Sequence, residues 1–221
     1  MPAAVPDVIA IIPSAPVMVP ELAGAAAAEL ADLTGAVRAA VAVLPDQWLA
    51  IGIGPRAERI DSGAAGTFAG YGADVAVALS PGASGPARPL PLCALIAGWV
   101  RGRVNPAATV RVQVCAADAD LEAAGRMVRS ELEAADGPIG VLLVADGVNT
   151  LSAAAPGGFD QDSVAPQYRC NRALARGEAD GLTGQYRILT GLVGDRQMRG
   201  AELYCGAPYG VSYFAGTWTQ P

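Results

Sequence analysis

The run Val141-Leu142-Leu143-Val144 offers no polar residue to either face of a strand, so as a strand it must be covered on both sides. Gly137-Pro138 stops whatever precedes it, and Ala145-Asp146-Gly147 follows it. Two further stretches read as buried strands: residues 5–12, rich in β-branched side chains, and residues 48–53. Between such runs lie segments with helical spacing. Leu22, Ala26, Leu30, Leu33, Val37, Val41 and Leu44 form one apolar stripe behind Pro20-Glu21, and Pro45-Asp46 ends it. Leu121, Ala124, Val128, Leu132 and Ala135 form another, with Asp118 available as a cap. Strands alternating with helices predict an α/β fold with a largely parallel central sheet flanked by helices. The length of 221 residues predicts a single domain over 1–221.

The remaining elements follow from punctuation and pattern. Residues 75–79 and 110–115 read as strands, the latter alternating Val with Arg111 and Gln113 as a strand with one wet face does. Residues 92–100 read as a short buried helix. Residues 58–72 and 80–91 read as loops. Asp162 or Ser163 caps a helix running to about Arg176, with Gly177 as its stop. Residues 182–192 read as a weakly patterned helix, and two strands around Gly206–Gly210 close the chain.

Composition excludes several kinds of chemistry. The chain has no His, which removes Ser-His-Asp and Cys-His catalysis, His-containing zinc sites and the two-His-one-carboxylate iron site. Its four cysteines, Cys93, Cys115, Cys170 and Cys205, form no C-x-x-C pair. Net charge is −6, so nucleic acid and anionic membrane are poor partners. No apolar run reaches membrane-spanning length, and MPAAVPDVIAIIP lacks the basic start of a secretory leader. A cytoplasmic protein with reduced thiols is the expectation.

Gly52-Ile53-Gly54-Pro55-Arg56-Ala57 fits a dinucleotide fingerprint after a strand, with Asp74 at the distance of a ribose-binding acid. The fingerprint should open a helix, whereas the residues after Ala57 are Gly-rich, and Pro55 removes a phosphate-binding N–H. A tight turn after a buried strand is the preferred reading.

The order of motifs resembles another family. Residues Ile11-Ile12-Pro13-Ser14-Ala15-Pro16 followed by Pro20-Glu21-Leu22 are similar to the opening of class III extradiol ring-cleavage dioxygenases, the LigB-like superfamily, where a strand runs into His-Pro-Pro and a Pro-Glu helix start. Ile51-Gly52-Ile53-Gly54-Pro55-Arg56 resembles that family's second strand, which ends in Ser-Pro-His. Ala145-Asp146-Gly147-Val148-Asn149 resembles its Gly-Asp-Leu-Ser-His segment, and Ala155-Pro156-Gly157-Gly158-Phe159-Asp160 the Ala-Pro-Gly-Gly-Tyr-Asp turn after it. The tail from Ala207 to Phe214 is similar to small bacterial members. The resemblance spans nearly the whole chain in order and implies the LigB-like extradiol dioxygenase fold.

It also implies where a site would lie. In the family two His and a carboxylate hold Fe(II), and a third His handles the substrate proton. By position these fall on Ser14, Arg56 and Asn149, with Glu202 as the carboxylate. Ser is a poor iron ligand, Arg a permanent cation, and Asn accepts no proton at neutral pH. The resemblance thus implies a dioxygenase scaffold without iron chemistry and without a cofactor. Asp146 and Asn149 are the catalytic candidates, and Ser14, Arg56 and Glu202 the ligand-binding ones. Arg56 suits a small anionic or phenolic ligand, or it pairs with Asp146 or Glu202 and fills the former metal position. Two other classes stay open. One is a non-catalytic or assembly subunit, or a homo-oligomer, given the tail aromatics Tyr204, Tyr209, Tyr213, Phe214 and Trp218. The other is an enzyme using Asp146, Asp160 or Glu202 as acid/base or as oxygen ligands for Mg²⁺.

Overall fold

The computed structural model describes residues 8–221, so the part of the first expected strand before Val8 lies outside the described residues. The strands are β1 (Val8–Ile12), β2 (Gln47–Gly54), β3 (Glu58–Ile60), β4 (Ala65–Thr67), β5 (Ala76–Ala78), β6 (Thr109–Ala116), β7 (Gly140–Val144), β8 (Arg199–Gly206) and β9 (Tyr213–Thr219). The helices are α1 (Pro20–Ala23), α2 (Ala31–Val41), α3 (Leu92–Val104), α4 (Leu121–Glu133), α5 (Gln161–Arg176) and α6 (Arg187–Val193). Seven strands form one sheet in the order β3-β6-β2-β7-β1-β9-β8, while β4 and β5 pair apart from it. The four inner strands β6, β2, β7 and β1 are mutually parallel, and β3, β9 and β8 add antiparallel edges. This is an α/β fold with a mixed, largely parallel sheet between helices.

β7 is central and wholly buried, as its unbroken apolar run requires. Strand alternation divides the core in two. Ala10, Ile12, Leu142 and Val144 pack under α2 and α3, while Ile9, Ile11, Val141 and Leu143 pack under α4, α5 and α6. Burying this apolar surface from two sides is the main source of stability. The tail aromatics Tyr213, Phe214 and Trp218 are part of these cores, with the Trp218 indole N–H donating to the Leu174 carbonyl at 2.7 Å. Packing therefore accounts for those three without an interface.

Several boundaries differ from the expectation. The first long helix is interrupted: Gly24 has φ 54°, which ends α1, and a 3-10 turn over Gly24–Ala27 precedes α2. Residues 58–72 hold β3, β4 and another 3-10 turn at Phe68–Tyr71. Gly54 leads into β3 rather than a helix, so the dinucleotide fingerprint lacks its phosphate-binding helix start. Gly52 and Gly54 have a packing reason instead: a Cβ at Gly52 would strike Cys93, and one at Gly54 would lie 2.6 Å from Val114 Cγ1. The caps are Asp120, whose Oδ1 accepts from Ala123 N–H at 3.0 Å, and Asp160, whose Oδ1 accepts from Asp162 N–H at 3.0 Å. Asp118, Asp162 and Ser163 do not hold those positions. Among the described residues no helix is long and apolar enough to cross a membrane.

Candidate functional site

β1 and β7 run side by side, with Ile12 opposite Val144 at their carboxyl ends. From there β1 leads to α2 on one face of the sheet and β7 leads to α5 on the other. Where neighbouring parallel strands part in this way, an open α/β sheet leaves a crevice for a ligand. Ser14 and Asp146 each stand two residues beyond the last pair. The Ser14 backbone N–H donates to Asp146 Oδ1 at 2.9 Å, which joins positions 132 apart in sequence.

Asp146 is set among packed polar groups. Its own N–H donates to Gln185 Oε1 at 3.3 Å, and the Tyr186 hydroxyl donates to the Ala145 carbonyl at 3.2 Å. Burial pushes the Asp146 carboxyl up to about 6, and the Ser14 N–H acts against that rise. Among the described residues no Arg lies within ion-pair distance of it. Two phenols feel its charge. Tyr186 is wholly enclosed and raised well above its ordinary value by burial and then by Asp146. Tyr213 is pushed up to about 12 by the same two causes in the same order. Both remain protonated donors at neutral pH, beside a carboxyl close to its titration point.

A second set of contacts holds the backbone after Asp146. Gly147 N–H donates to the Ser212 carbonyl and Ser212 N–H to the Val148 carbonyl, both at 2.9 Å. Val148 N–H donates to Gln167 Oε1 at 2.9 Å, and Gln167 Nε2 donates to Asn171 Oδ1 at 2.7 Å. Gly147 fits because a Cβ there would lie 2.7 Å from both Gln167 Oε1 and Ser212 Cβ. The small-residue loop that follows is tied down as well. Gly157 N–H donates to the Asn149 carbonyl, Asp160 N–H to the Thr150 carbonyl, and Leu151 N–H to the Gly210 carbonyl. The Pro156-Gly157-Gly158 turn thus folds back on Asn149, whose side chain is exposed.

The other two candidates stand apart from this group. Pro55 turns the chain outward into β3, which pairs on the far side of β6, and this carries Arg56 away from β7. Its side chain is 81% exposed and its nearest carboxylate is Glu58, at 3.9 Å. It pairs with neither Asp146 nor Glu202, contrary to the expected fill of the former metal position. Glu202 is exposed on β8, three strands from β7, or roughly 14 Å at the usual strand spacing. Asp160 serves as the cap of α5. Sequence reasoning did not find Gln167, Gln185, Tyr186 or Ser212. Only Gln167 left a signal, as a polar residue on the same helical stripe as Cys170 and Leu174.

A wide hollow of about 590 Å³ opens beside the crevice, at the carboxyl ends of β2 and β6, lined in part by Ile53, Asp118, Asp120, Gln185 and Arg187. Gln185 connects it to Asp146. The Fe(II) that the resemblance implies does not fit these residues. Ser14 offers its backbone N–H to Asp146, Arg56 is a solvated cation, and Glu202 is too distant to complete a set. Among the described residues no three His, Cys, Asp or Glu side chains gather as metal ligands. No family model matches the chain, and no curated protein matches it.

Proposed function

We propose that this chain is a divergent member of the LigB-like extradiol dioxygenase superfamily that has given up iron chemistry. Its crevice between β1 and β7 binds a small phenolic or other hydroxyl-bearing ligand on Asp146. The observation that carries this reading is the 2.9 Å bond between Ser14, the position that the resemblance gives to the first metal ligand, and Asp146, the carboxylate of the segment that resembles Gly-Asp-Leu-Ser-His. The sheet geometry supports it, because the crevice lies where open α/β sheets take ligands.

The local charge decides which ligand fits. With Arg56 turned outward, the crevice is acidic, so an anion is disfavoured and a hydroxyl donor favoured. Asp146 accepts the ligand's hydroxyl hydrogen and, titrating near neutrality, is placed to take its proton. A Mg²⁺-dependent variant of this reading lacks a donor set, because Asp160 and Glu202 are committed elsewhere.

Calorimetric titration with catechol, alongside anaerobic Fe(II) loading and metal analysis, tests the proposal. Saturable catechol binding that weakens at least about tenfold in Asp146→Ala is expected, with no stoichiometric iron and no ring cleavage. Tight iron with ring cleavage would overturn the loss of iron chemistry. Absent binding, or binding indifferent to Asp146→Ala, would overturn the assignment of the crevice.

A further inference from the structure

On the opposite side of the sheet from α4, a second hollow of about 100 Å³ lies between α2, α3 and the turn after β1. Val17, Met18, Leu30, Val100 and Val104 make its walls apolar. An enclosed apolar cavity about half as large again, roughly 150 Å³, takes up benzene. The rim carries two guanidinium groups, Arg38 from α2 and Arg103 from α3.

The two arginines are held differently. Arg103 lies 5.3 Å above the centre of the Trp99 ring and pairs with Glu21 at 3.3 Å. Both members of that pair are nearly half exposed, so the pair is weak and exchangeable. Arg38 is exposed, and among the described residues it has no carboxylate within ion-pair distance. The chain as a whole is acidic, with a net charge of −6, but the mouth of this hollow is cationic. An apolar interior with a cationic mouth is complementary to one kind of molecule: a short chain or ring ending in a carboxylate.

We infer that this hollow is a binding site for a small amphipathic carboxylate, its apolar part between α2 and α3 and its carboxylate between Arg38 and Arg103. The site is separate from the crevice at Asp146 and does not depend on its function.

The test titrates the full chain with sodium octanoate, with octan-1-ol as the uncharged probe, following the Trp99 indole N–H resonance by NMR. That resonance is assigned by its loss in Trp99→Phe. Octanoate is expected to give a saturable shift with a Kd of about 1 mM or tighter, and octan-1-ol a binding about tenfold weaker. Arg38→Gln and Arg103→Gln, both at exposed positions, should each weaken octanoate by about tenfold while the unfolding midpoint holds. Glu21→Gln, which frees Arg103, should tighten it. Ala27→Phe, which plugs the lining, should abolish it. A shift that never saturates, equal binding of the alcohol, or indifference to both arginine variants would overturn the proposal.

Discussion

Asp146 keeps its charge at neutral pH against burial, with the Ser14 N–H as its one side-chain hydrogen bond within the described residues. Its folded value of about 6 lies above the roughly 3.9 of an unfolded Asp. The folded state therefore binds the proton more tightly, and the group's stabilising contribution is complete below about pH 4 and lost as pH rises through about 6. Allowing for the solvent that reaches the carboxylate, the change is about 2 kcal/mol. Asp146→Asn keeps an acceptor for Ser14 and removes the charge. It should be more stable than the parent at pH 8 by about 1–2 kcal/mol and lose the rise between pH 6 and pH 4, as read by urea unfolding. A variant less stable at every pH would show that the carboxylate is a structural lock. Such a gain in stability on losing a site group is common where function holds a strained charge. The sequence showed Asp146 because a carboxylate at the end of an apolar run stands out. It hid Gln185 and Ser212, whose roles exist only once distant segments meet.

At the level of elements, α4 and α6 cross with backbones nearly in contact. A Cβ on Gly125 would strike the Ile188 carbonyl, and one on Gly191 would strike the Glu122 carbonyl. α6 follows directly from Gln185 and Tyr186, so this crossing positions both residues under Asp146. Gly125→Val should destabilise the chain by about 3 kcal/mol and blunt the pH signature of Asp146. Intact stability in urea would mean the helices part without consequence. α2 and α4 were legible from their apolar stripes, the inner strands from apolar runs or alternation, and α3 and α5 from an apolar run and from end signals. β3 was not legible. Its three residues carry no period, and they become a strand only by pairing with β6, about fifty residues later, where Arg59 and Arg111 share Glu131 of α4. The outward course of Arg56 is part of that same pairing, which is why position alone set it in the crevice.

Over the whole molecule, two apolar layers share one sheet, and β7 contributes to both. Neither layer is complete without the strands that also close the other. Unfolding should therefore be a single transition, with far-UV and near-UV circular dichroism superimposable in urea. Separated midpoints would mean that the layers come apart independently. The largely parallel sheet and its two-sided burial were readable in advance from apolar runs without a polar face. The antiparallel flank was readable as two strands joined by a turn, which do pair, but not as neighbours of β1. That flank has a consequence for the newborn chain. β1 is bordered on one side by residues 141–144 and on the other by residues 216–219. It therefore has no partner until residues 141–144 are made, and its second neighbour comes only with residues 216–219. Any factor that shields exposed apolar nascent chain has its longest engagement here, at Ile9 to Ile12.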